Sequence, residues 1–160
     1  MFQFKLPENV LPVNLLAPAA DAAGRTGGYV SLKGASKAFI VVHINQGNAA
    51  TVQLSINQAT AVAGTGAKAI TNAVPIWSNL DAATAAAFTR RPDAVNYTTD
   101  AALKVKTVVF AIDPASLDVA NGFDCIAVVT GASNAANITS AQVFLESTYG
   151  QATAVNALAD

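Results

Sequence analysis

The chemistry available to this sequence begins with one histidine and one cysteine, since these are common proton-transfer and nucleophilic groups. His43 lies in the run KAFIVVHIN, on the same side of a predicted strand as Phe39 and Val41. It has no evident partner in the sequence, which favours a hydrogen-bonded structural role over catalysis or metal ligation. Cys125 opens an apolar run, and nothing beside it marks a thiolate-stabilising site, so a buried side chain is expected. A lone cysteine also excludes an intrachain disulfide.

A glycine-rich segment is the next candidate for a reaction centre. The segment Gly64–Lys68 resembles a phosphate-binding loop at first sight. Ala67, however, separates the last glycine from the lysine, and Ala69 occupies the position of the magnesium-binding hydroxyl. We therefore interpret this segment as a hairpin-like loop.

The aspartates occur singly near predicted turns, where Asp commonly caps backbone amides. One alternative stays open, in which Asp113 meets Asp118 or Asp124 in space as a carboxylate pair. The residues concerned are Asp93, Asp100, Asp113, Asp118 and Asp124. Because no cluster of catalytic or ligating groups is evident, we expect no enzyme activity, no cofactor and no metal site.

The composition predicts a protein whose surface is covered by partners. Apolar residues make up 52% of the 160 positions, and charged residues make up only 12%, against about 25% in ordinary soluble domains. Interface cores are depleted in charge, so much of the surface is expected to contact other subunits. The alternative explanation is the abundance of alanine, which counts as apolar but buries little area.

Charge and hydropathy limit the class of partner. The net charge is −1 and the nine basic residues are scattered, so the basic stripe of a nucleic-acid-binding protein is missing. No apolar run approaches the ~20 residues that span a bilayer, and the first residues lack the pattern of a signal peptide. We expect a protein made in the cytoplasm, with neither nucleic acid nor membrane as a partner.

Residues 1–28 are predicted to form an extended N-terminal arm. Three of the six prolines fall here, and the arm ends in the flexible run 24–28. The prolines exclude a continuous helix, and Phe2, Phe4 and Leu6 alternate with polar residues as in a short strand. An apolar arm has to dock either on its own domain or on a neighbouring subunit. The candidate interface residues are Phe2, Phe4, Leu6, Val10, Leu11, Leu15 and Leu16.

Residues 29–150 are predicted to form one all-β domain. The run 37–45 is apolar on both parities, as in a strand covered on both faces, and the run 51–58 alternates strictly. A short turn separates the two runs, so together they predict a hairpin. Further strands are expected at 68–71, 74–78, 104–113, 123–130 and 138–147.

Helical structure is expected only in short pieces. Asp81–Phe88 is rich in alanine and is interpreted as a short helix with Asp81 as its N-cap. Asp113–Leu117 is expected to form one helical turn with Pro114 at its first position. Residues 151–160 are small and polar and are predicted to be a C-terminal tail. Short strands separated by turns predict a mainly antiparallel sandwich or barrel.

Three stretches resemble small structural proteins encoded near the major capsid gene of tailed bacteriophages and prophages. They are residues 41–77 (VVHINQGNAATVQLSINQATAVAGTGAKAITNAVPIW), 131–141 (GASNAANITSA) and 21–27 (DAAGRTG). The first 20 residues fit the resemblance least, and it carries over no residue with an assigned role.

This resemblance implies a virion structural protein, namely a head decoration or cement protein that binds the outside of the capsid and stabilises it. The implied fold is a β-sandwich, jelly-roll-like or β-tulip module. The implied partners are the major capsid protein and further copies of the chain in a homotrimer, and the implied location is the capsid surface. Two alternatives remain. One is a phage tail, baseplate or fibre component.

The other alternative is a β-sandwich glycan-binding module. Its mark would be a cluster of exposed aromatic side chains that stack on sugar rings. The candidates Trp77, Tyr97 and Tyr149 lie far apart in the sequence.

Overall fold

The computed structural model describes residues 4–149 and 156–160, and its regular structure is almost entirely β. Twelve strands and two short 3₁₀ helices follow one another within these residues, which contain no α-helix. The 3₁₀ helices are Pro114–Ser116 and Val119–Asn121. The strands are β1 (Val10–Ala20), β2 (Arg25–Thr26), β3 (Val30–Ser31), β4 (Ala35–Gln46), β5 (Gln53–Ala59), β6 (Lys68–Ala69), β7 (Val74–Asn79), β8 (Thr89–Ala94), β9 (Asn96–Thr98), β10 (Val105–Ile112), β11 (Cys125–Thr130) and β12 (Asn137–Ser147).

The strands form two antiparallel sheets that share one core. Sheet A has the order β1-β12-β4-β10-β7-β8, and sheet B has the order β2-β11-β5-β6, with β3 joined to β11 and β9 joined to β5. Alternate side chains of each strand point to one side of its sheet. Those that point between the sheets are buried and form one apolar cluster, which includes Ile40 and Val42 of β4, Leu54 and Ile56 of β5, and Phe110 of β10. The predicted all-β, mainly antiparallel class is confirmed.

Most of the predicted strands occur where the apolar patterns lie. β7, β10, β11 and β12 match the predicted runs closely, and β6 covers the first half of its predicted run. The helical turn predicted at Asp113–Leu117 is present, with Pro114 at its start. The Asp113 carboxylate accepts a hydrogen bond from the backbone N–H of Ala115 at 2.9 Å, as expected for a capping aspartate.

The hairpin predicted from residues 37–45 and 51–58 is wrong. The two runs are strands, but β4 pairs with β10 and β12 in sheet A, whereas β5 pairs with β11, β6 and β9 in sheet B. The connection over residues 47–52 crosses from one sheet to the other. The apolar sides of both strands then face the same core from opposite layers, which satisfies their alternation as well as a hairpin would.

The helix predicted at Asp81–Phe88 is also absent. The chain makes a single turn there, in which the backbone N–H of Ala85 donates to the carbonyl of Asp81 at 3.0 Å. Two other contacts hold the segment: Ala82 donates its N–H to the carbonyl of Val105, and the Asn79 side chain donates to the carbonyl of Ala85. Helices this short gain little from alanine propensity, so these contacts decide the conformation.

The arm predicted over residues 1–28 is largely part of the sandwich. From Val10 onward it forms β1, which pairs antiparallel with β12 along most of its length. β1 is an edge strand of sheet A, where a proline does not break a hydrogen bond to a second neighbour, so Pro12 and Pro18 are tolerated. The arm therefore docks on its own domain from Val10 to Ala20, the first of the two outcomes that the sequence left open.

The two ends of the chain behave differently. Residues 4–9 form an exposed turn before β1, in which the backbone N–H groups of Asn9 and Val10 donate to the carbonyl of Lys5. Of the predicted tail, residues 156–160 lie against the domain, where the carbonyl of Ala157 accepts from the N–H of Ser31 and the Asp160 carboxylate accepts from the N–H of Val62. The rest of the predicted tail, residues 151–155, lies outside the described residues.

A buried carboxylate links the two sheets near one end of the sandwich. Asp21 is fully buried, and its Oδ1 accepts from Nε and Nη2 of Arg25 at 3.1 and 3.0 Å. The hydroxyls of Thr130 on β11 and Thr139 on β12 donate to the same carboxylate. The Arg25 guanidinium also donates to the carbonyl of Ala19 at 2.9 Å. Asp21 thus joins strands of sheets A and B through charged hydrogen bonds, which are stronger than neutral ones.

We expect the substitution Asp21→Ala to lower the free energy of unfolding by about 3–5 kcal/mol, because it leaves the Arg25 charge and two hydroxyls without their acceptor. The control is Asp93→Ala, which removes an exposed ion pair with Arg90 and is expected to cost less than about 1 kcal/mol. Urea unfolding of both variants measures the difference. Equal costs would contradict the proposed link between the sheets.

Candidate interaction surface

The residues that could have carried catalysis lie apart, each with a structural role. His43 points outward from β4, and its Nδ1 lies 3.2 Å from the Thr107 hydroxyl, with which it shares a hydrogen bond. The Gly64–Lys68 segment is a turn next to β6, in which the Lys68 ammonium pairs with Asp118 and lies over the Phe123 ring. Within the described residues, no three potential ligands are grouped so that they could hold a metal ion.

Asp113, Asp118 and Asp124 act as turn and surface residues, as their positions in the sequence predicted. Asp118 pairs with Lys68 and also accepts from the Asn121 amide, and the Lys68 hydrogen bond holds the pKa of Asp118 below its usual value. Asp124 pairs instead with Lys33, at 3.4 Å. With Asp113 capping Ala115, each member of the possible carboxylate pair has its own separate partner.

Cys125 is an inert core residue. Its side chain is fully buried, and its thiol donates to the carboxylate of Asp124 at 3.2 Å. Burial, and next the hydrogen bond to Asp124, raises the pKa of the thiol to about 12. At neutral pH the reactive thiolate is therefore scarcely populated.

The one buried lysine is also structural. Lys106 is fully buried, and its ammonium donates to Oε1 of Gln46 at 2.8 Å and to the carboxylate of Asp100 at 2.6 Å. A third bond goes to the backbone carbonyl of Asp100 at 2.9 Å, so all three N–H donors are used. The Thr99 hydroxyl donates to the same Gln46 oxygen. This network fixes the loop after β9 onto β10 and leaves no free amine for chemistry.

The Lys106 pair predicts how stability depends on pH. The hydrogen bond from Lys106 holds the pKa of Asp100 below its ordinary value of 3.8 in the folded protein. The folded state thus binds the Asp100 proton less tightly than the unfolded chain does. The stabilisation from the Lys106–Asp100 pair is therefore complete above the ordinary pKa of Asp100, and it is lost as pH falls through the lowered pKa of the folded state. We expect Asp100→Asn to destabilise by about 1 kcal/mol at pH 7, since the side chain is half exposed, and this difference to shrink as pH falls below the ordinary pKa of Asp100. Urea unfolding at a series of pH values checks this, and a difference that stays constant or grows as pH falls would contradict it.

The structure divides the predicted interface residues into two groups. Phe4 and Leu6 are 65% and 51% exposed, so they are available to a partner. The protein's own domain covers the other predicted interface residues that the structure describes. Leu11 is partly buried, and Val10, Leu15 and Leu16 are buried. Phe2 lies outside the described residues. The sequence missed this division because the alternation of an arm docked in cis is the same as that of one docked on a neighbour.

A second apolar surface, which the sequence only hinted at, lies on the outward side of sheet A. Val41 of β4 is flanked by Gln142 of β12 and Val109 of β10, and Val109 pairs in turn with Trp77 of β7. In the next row, Phe39 pairs with Phe144. Phe88, which precedes β8, is 46% exposed beside them. We call this surface the aromatic face, defined by Phe39, Val41, Trp77, Phe88, Val109 and Phe144.

The aromatic face contains two grooves and is bordered by charged side chains. A groove of about 290 Å³ lies between Phe39, Trp77, Phe88 and Val109. A second groove, of about 480 Å³, is lined by Phe4, Val10, Phe39, Phe144 and Glu146. Charged side chains occur at the border: Lys37 and Glu146 are cross-strand neighbours at one end, and Arg90 stacks on Trp77 at the β8 edge. The central rows carry no charge.

The outward side of sheet B has no aromatic side chains on its two longest strands. Gln53, Ser55 and Asn57 occupy the outward positions of β5, and their neighbours on β11 are the buried Ala127 and the half-buried Val129. The two outer sides of the sandwich therefore differ, and the aromatic one lies on sheet A. Contiguous apolar surface that its own domain leaves partly exposed marks interaction sites in soluble proteins.

The sequence contained one signal of the aromatic face. The run KAFIVVHIN is apolar on both parities, which predicted cover on both sides of β4. The inner side is covered by sheet B, whereas Phe39 and Val41 on the outer side are only partly buried by the described residues. Trp77, Phe88 and Phe144 join them through strand register, which the sequence pattern does not reveal.

Comparisons with known proteins identify a fold and no family. No family model and no curated protein matches the chain. Among solved structures, the chain is similar to the SPBc2 prophage-derived protein YomS, with a TM-score of 0.50 and 8% identity over 91% of this chain and 100% of that chain. A lower score, 0.37 at 7% identity, relates 90% of this chain to 30% of a chain from a study of the triple jelly roll fold and turret assembly in an archaeal virus. Within the described residues, no helix is long and apolar enough to span a bilayer.

Proposed function

We propose that this chain is a virion structural protein that decorates the outside of a tailed-phage capsid and attaches through its N-terminal turn, residues 4–9. The observation that carries the proposal is the exposure of Phe4 and Leu6, two large apolar side chains on a short turn at the sheet edge. The sequence resemblance to proteins encoded beside capsid genes supplies the partner, the major capsid protein. The fold shared with a prophage-derived protein is consistent with that setting.

The physical demands of decoration suit this molecule. A capsid offers many equivalent sites. Weak apolar contacts are therefore enough for attachment when one oligomer of this protein makes several of them at once. The described residues hold a rigid sandwich with its polar groups satisfied, and they lack the clustered groups that catalysis needs. A rigid domain with exposed apolar side chains at one end suits a binding protein better than an enzyme.

The N-terminal turn gives a sharp test of attachment. We expect the double substitution Phe4→Ser/Leu6→Ser to weaken binding to capsids of the encoding phage at least tenfold, because two large apolar side chains no longer leave water on binding. The fold should persist, since both side chains are exposed and β1 begins only at Val10. Cosedimentation of purified protein with capsids measures the effect.

The matched control is Leu103→Ser/Ile138→Ser, which removes two exposed apolar side chains, at 62% and 41%. Both lie at the other end of sheet A, where Ile138 pairs with Ala20 and the carbonyl of Lys104, next to Leu103, accepts from Gln46. The control variant is expected to bind as the wild-type protein does. If the Phe4/Leu6 variant binds normally, the turn is not the attachment site. If the wild-type protein binds no capsid, or if labelled protein lies on the tail in electron micrographs of phage particles, capsid decoration is refuted.

One observation favours a second candidate, the glycan-binding module. Trp77 lies in a partly exposed aromatic cluster, with Phe39 and Phe88 rather than with Tyr97 or Tyr149. Sugar recognition also needs polar groups that orient the hydroxyls, and the four residues that line this groove are all apolar. The candidate is therefore weaker than the structural one.

A further inference from the structure

We infer that the aromatic face is the surface through which two copies of this chain pair, sheet A against sheet A. The inference goes beyond attachment to the capsid, because it concerns the broad side of sheet A and an assembly that forms without a capsid. It rests on the area of the outward side of sheet A, on the lack of charge in the aromatic face at its centre, and on the state in which the protein is first made.

The outward side of sheet A, at whose centre the aromatic face lies, has the size that a stable pair needs. Six strands at a spacing of ~4.8 Å span about 29 Å, and an eight-residue strand such as β10 runs about 26 Å. The resulting area of roughly 750 Å² for the whole side of the sheet is close to the ~800 Å² that each partner contributes to a standard protein interface. Sheets also pack face to face readily, as the two layers of this sandwich do.

The charge distribution fits a second copy. The central rows, Gln142–Val41–Val109–Trp77 and Phe144–Phe39, contain no ionised group, so pairing buries no unpaired charge there. The border carries both signs, with Lys37 beside Glu146 at one end of the face and Arg90 beside Asp93 at the β8 edge. A strongly acidic or basic partner would find nothing to recognise in such a surface, whereas an identical apolar face complements it.

If the proposed function holds, the protein is made as a free chain before it attaches to a capsid. A free chain with this face bare would present clustered aromatic side chains to water, on a molecule with only 12% charged residues. Another copy is the one partner that is always present as soon as the protein is made. Packing the same face of each copy gives a closed two-fold pair, which hides the face without forming open-ended fibres. In our proposal this pair replaces the trimer that the resemblance implies.

The experiment uses the full chain alone, in sedimentation velocity and light scattering at micromolar concentration. We expect the wild-type protein to have about twice its chain mass of 16.2 kDa. Val41 and its neighbour Val109 lie on β4 and β10, the two middle strands of sheet A, so a charge there meets its own copy across the two-fold axis. Val41→Lys and Val41→Glu should each sediment as single chains, with at least a tenfold loss of affinity, and an equimolar mixture of the two should restore the pair.

The matched control is Val129→Lys. Val129 is an equally half-buried valine that points outward from β11, a central strand of sheet B, and its substitution is expected to leave the pair intact. Circular dichroism confirms that each variant is folded. A wild-type monomer, a wild-type trimer, or a pair that survives both Val41 variants would overturn the inference.

Pairing and capsid attachment are tested by separate measurements. The Val41 variants and the Val129 control test pairing with no capsid present, and none of these substitutions touches the N-terminal turn. Phe4 lines a groove together with Phe39 and Phe144 at the border of the aromatic face, so the Phe4/Leu6 variant is used for capsid binding only. A wild-type monomer overturns the pairing and leaves attachment through the turn to be decided by cosedimentation with capsids.

Discussion

The apolar character of both sides of β4 is the constraint that connects this fold to its proposed assembly. On the inner side, Ile40 and Val42 are fully buried against sheet B. On the outer side, Phe39 and Val41 belong to a face of six large apolar residues that the described chain leaves partly open. One or two such side chains would not offset the ~4–15 kcal/mol that association costs in lost freedom, so the proposed pairing depends on the whole face. The same residues thus build the domain on one side and favour association on the other.

The buried polar groups hold the β-sandwich rigid. Asp21 and Arg25 connect strands of both sheets, and Lys106 anchors a loop through Gln46 and Asp100. Every buried side-chain nitrogen and oxygen in the described residues has a hydrogen-bond partner. Groups that look chemically active in the sequence are therefore engaged in structure. This is the physical reason why the proposed functions are binding functions.

The parity of apolar residues predicted the strands well, because alternation depends only on which side of a strand is buried. It did not predict which sheet a strand joins: β4 and β5 have the patterns of a hairpin but lie in opposite layers. Nor did it distinguish an arm from an edge strand, since Pro12 and Pro18 suit both. The short strand β8 went unpredicted because its sequence, TRRPDA, is polar and contains Pro92, and both features are permitted at an edge.

The candidate sites were predictable only in part. The alternation of apolar residues in the N-terminal segment drew attention to Phe4 and Leu6, but it did not separate these exposed side chains from the buried Val10, Leu15 and Leu16. The aromatic face could not be identified in full, since it is assembled from β4, β7, β10 and β12 by cross-strand register over more than a hundred residues. Only the run over 37–45 gave a local signal, as apolar residues on both parities.

Trp77 provides the most direct measurement of whether the aromatic face is covered, because it is the only tryptophan in the chain and lies on that face. Acrylamide quenching of its fluorescence is measured on the full-length protein from nanomolar to high micromolar concentration. Coverage by a second copy predicts that quenching falls and the emission shifts to shorter wavelength as the concentration rises, and that Val41→Lys abolishes both changes. Quenching that is equal at all concentrations, in both proteins, would contradict it.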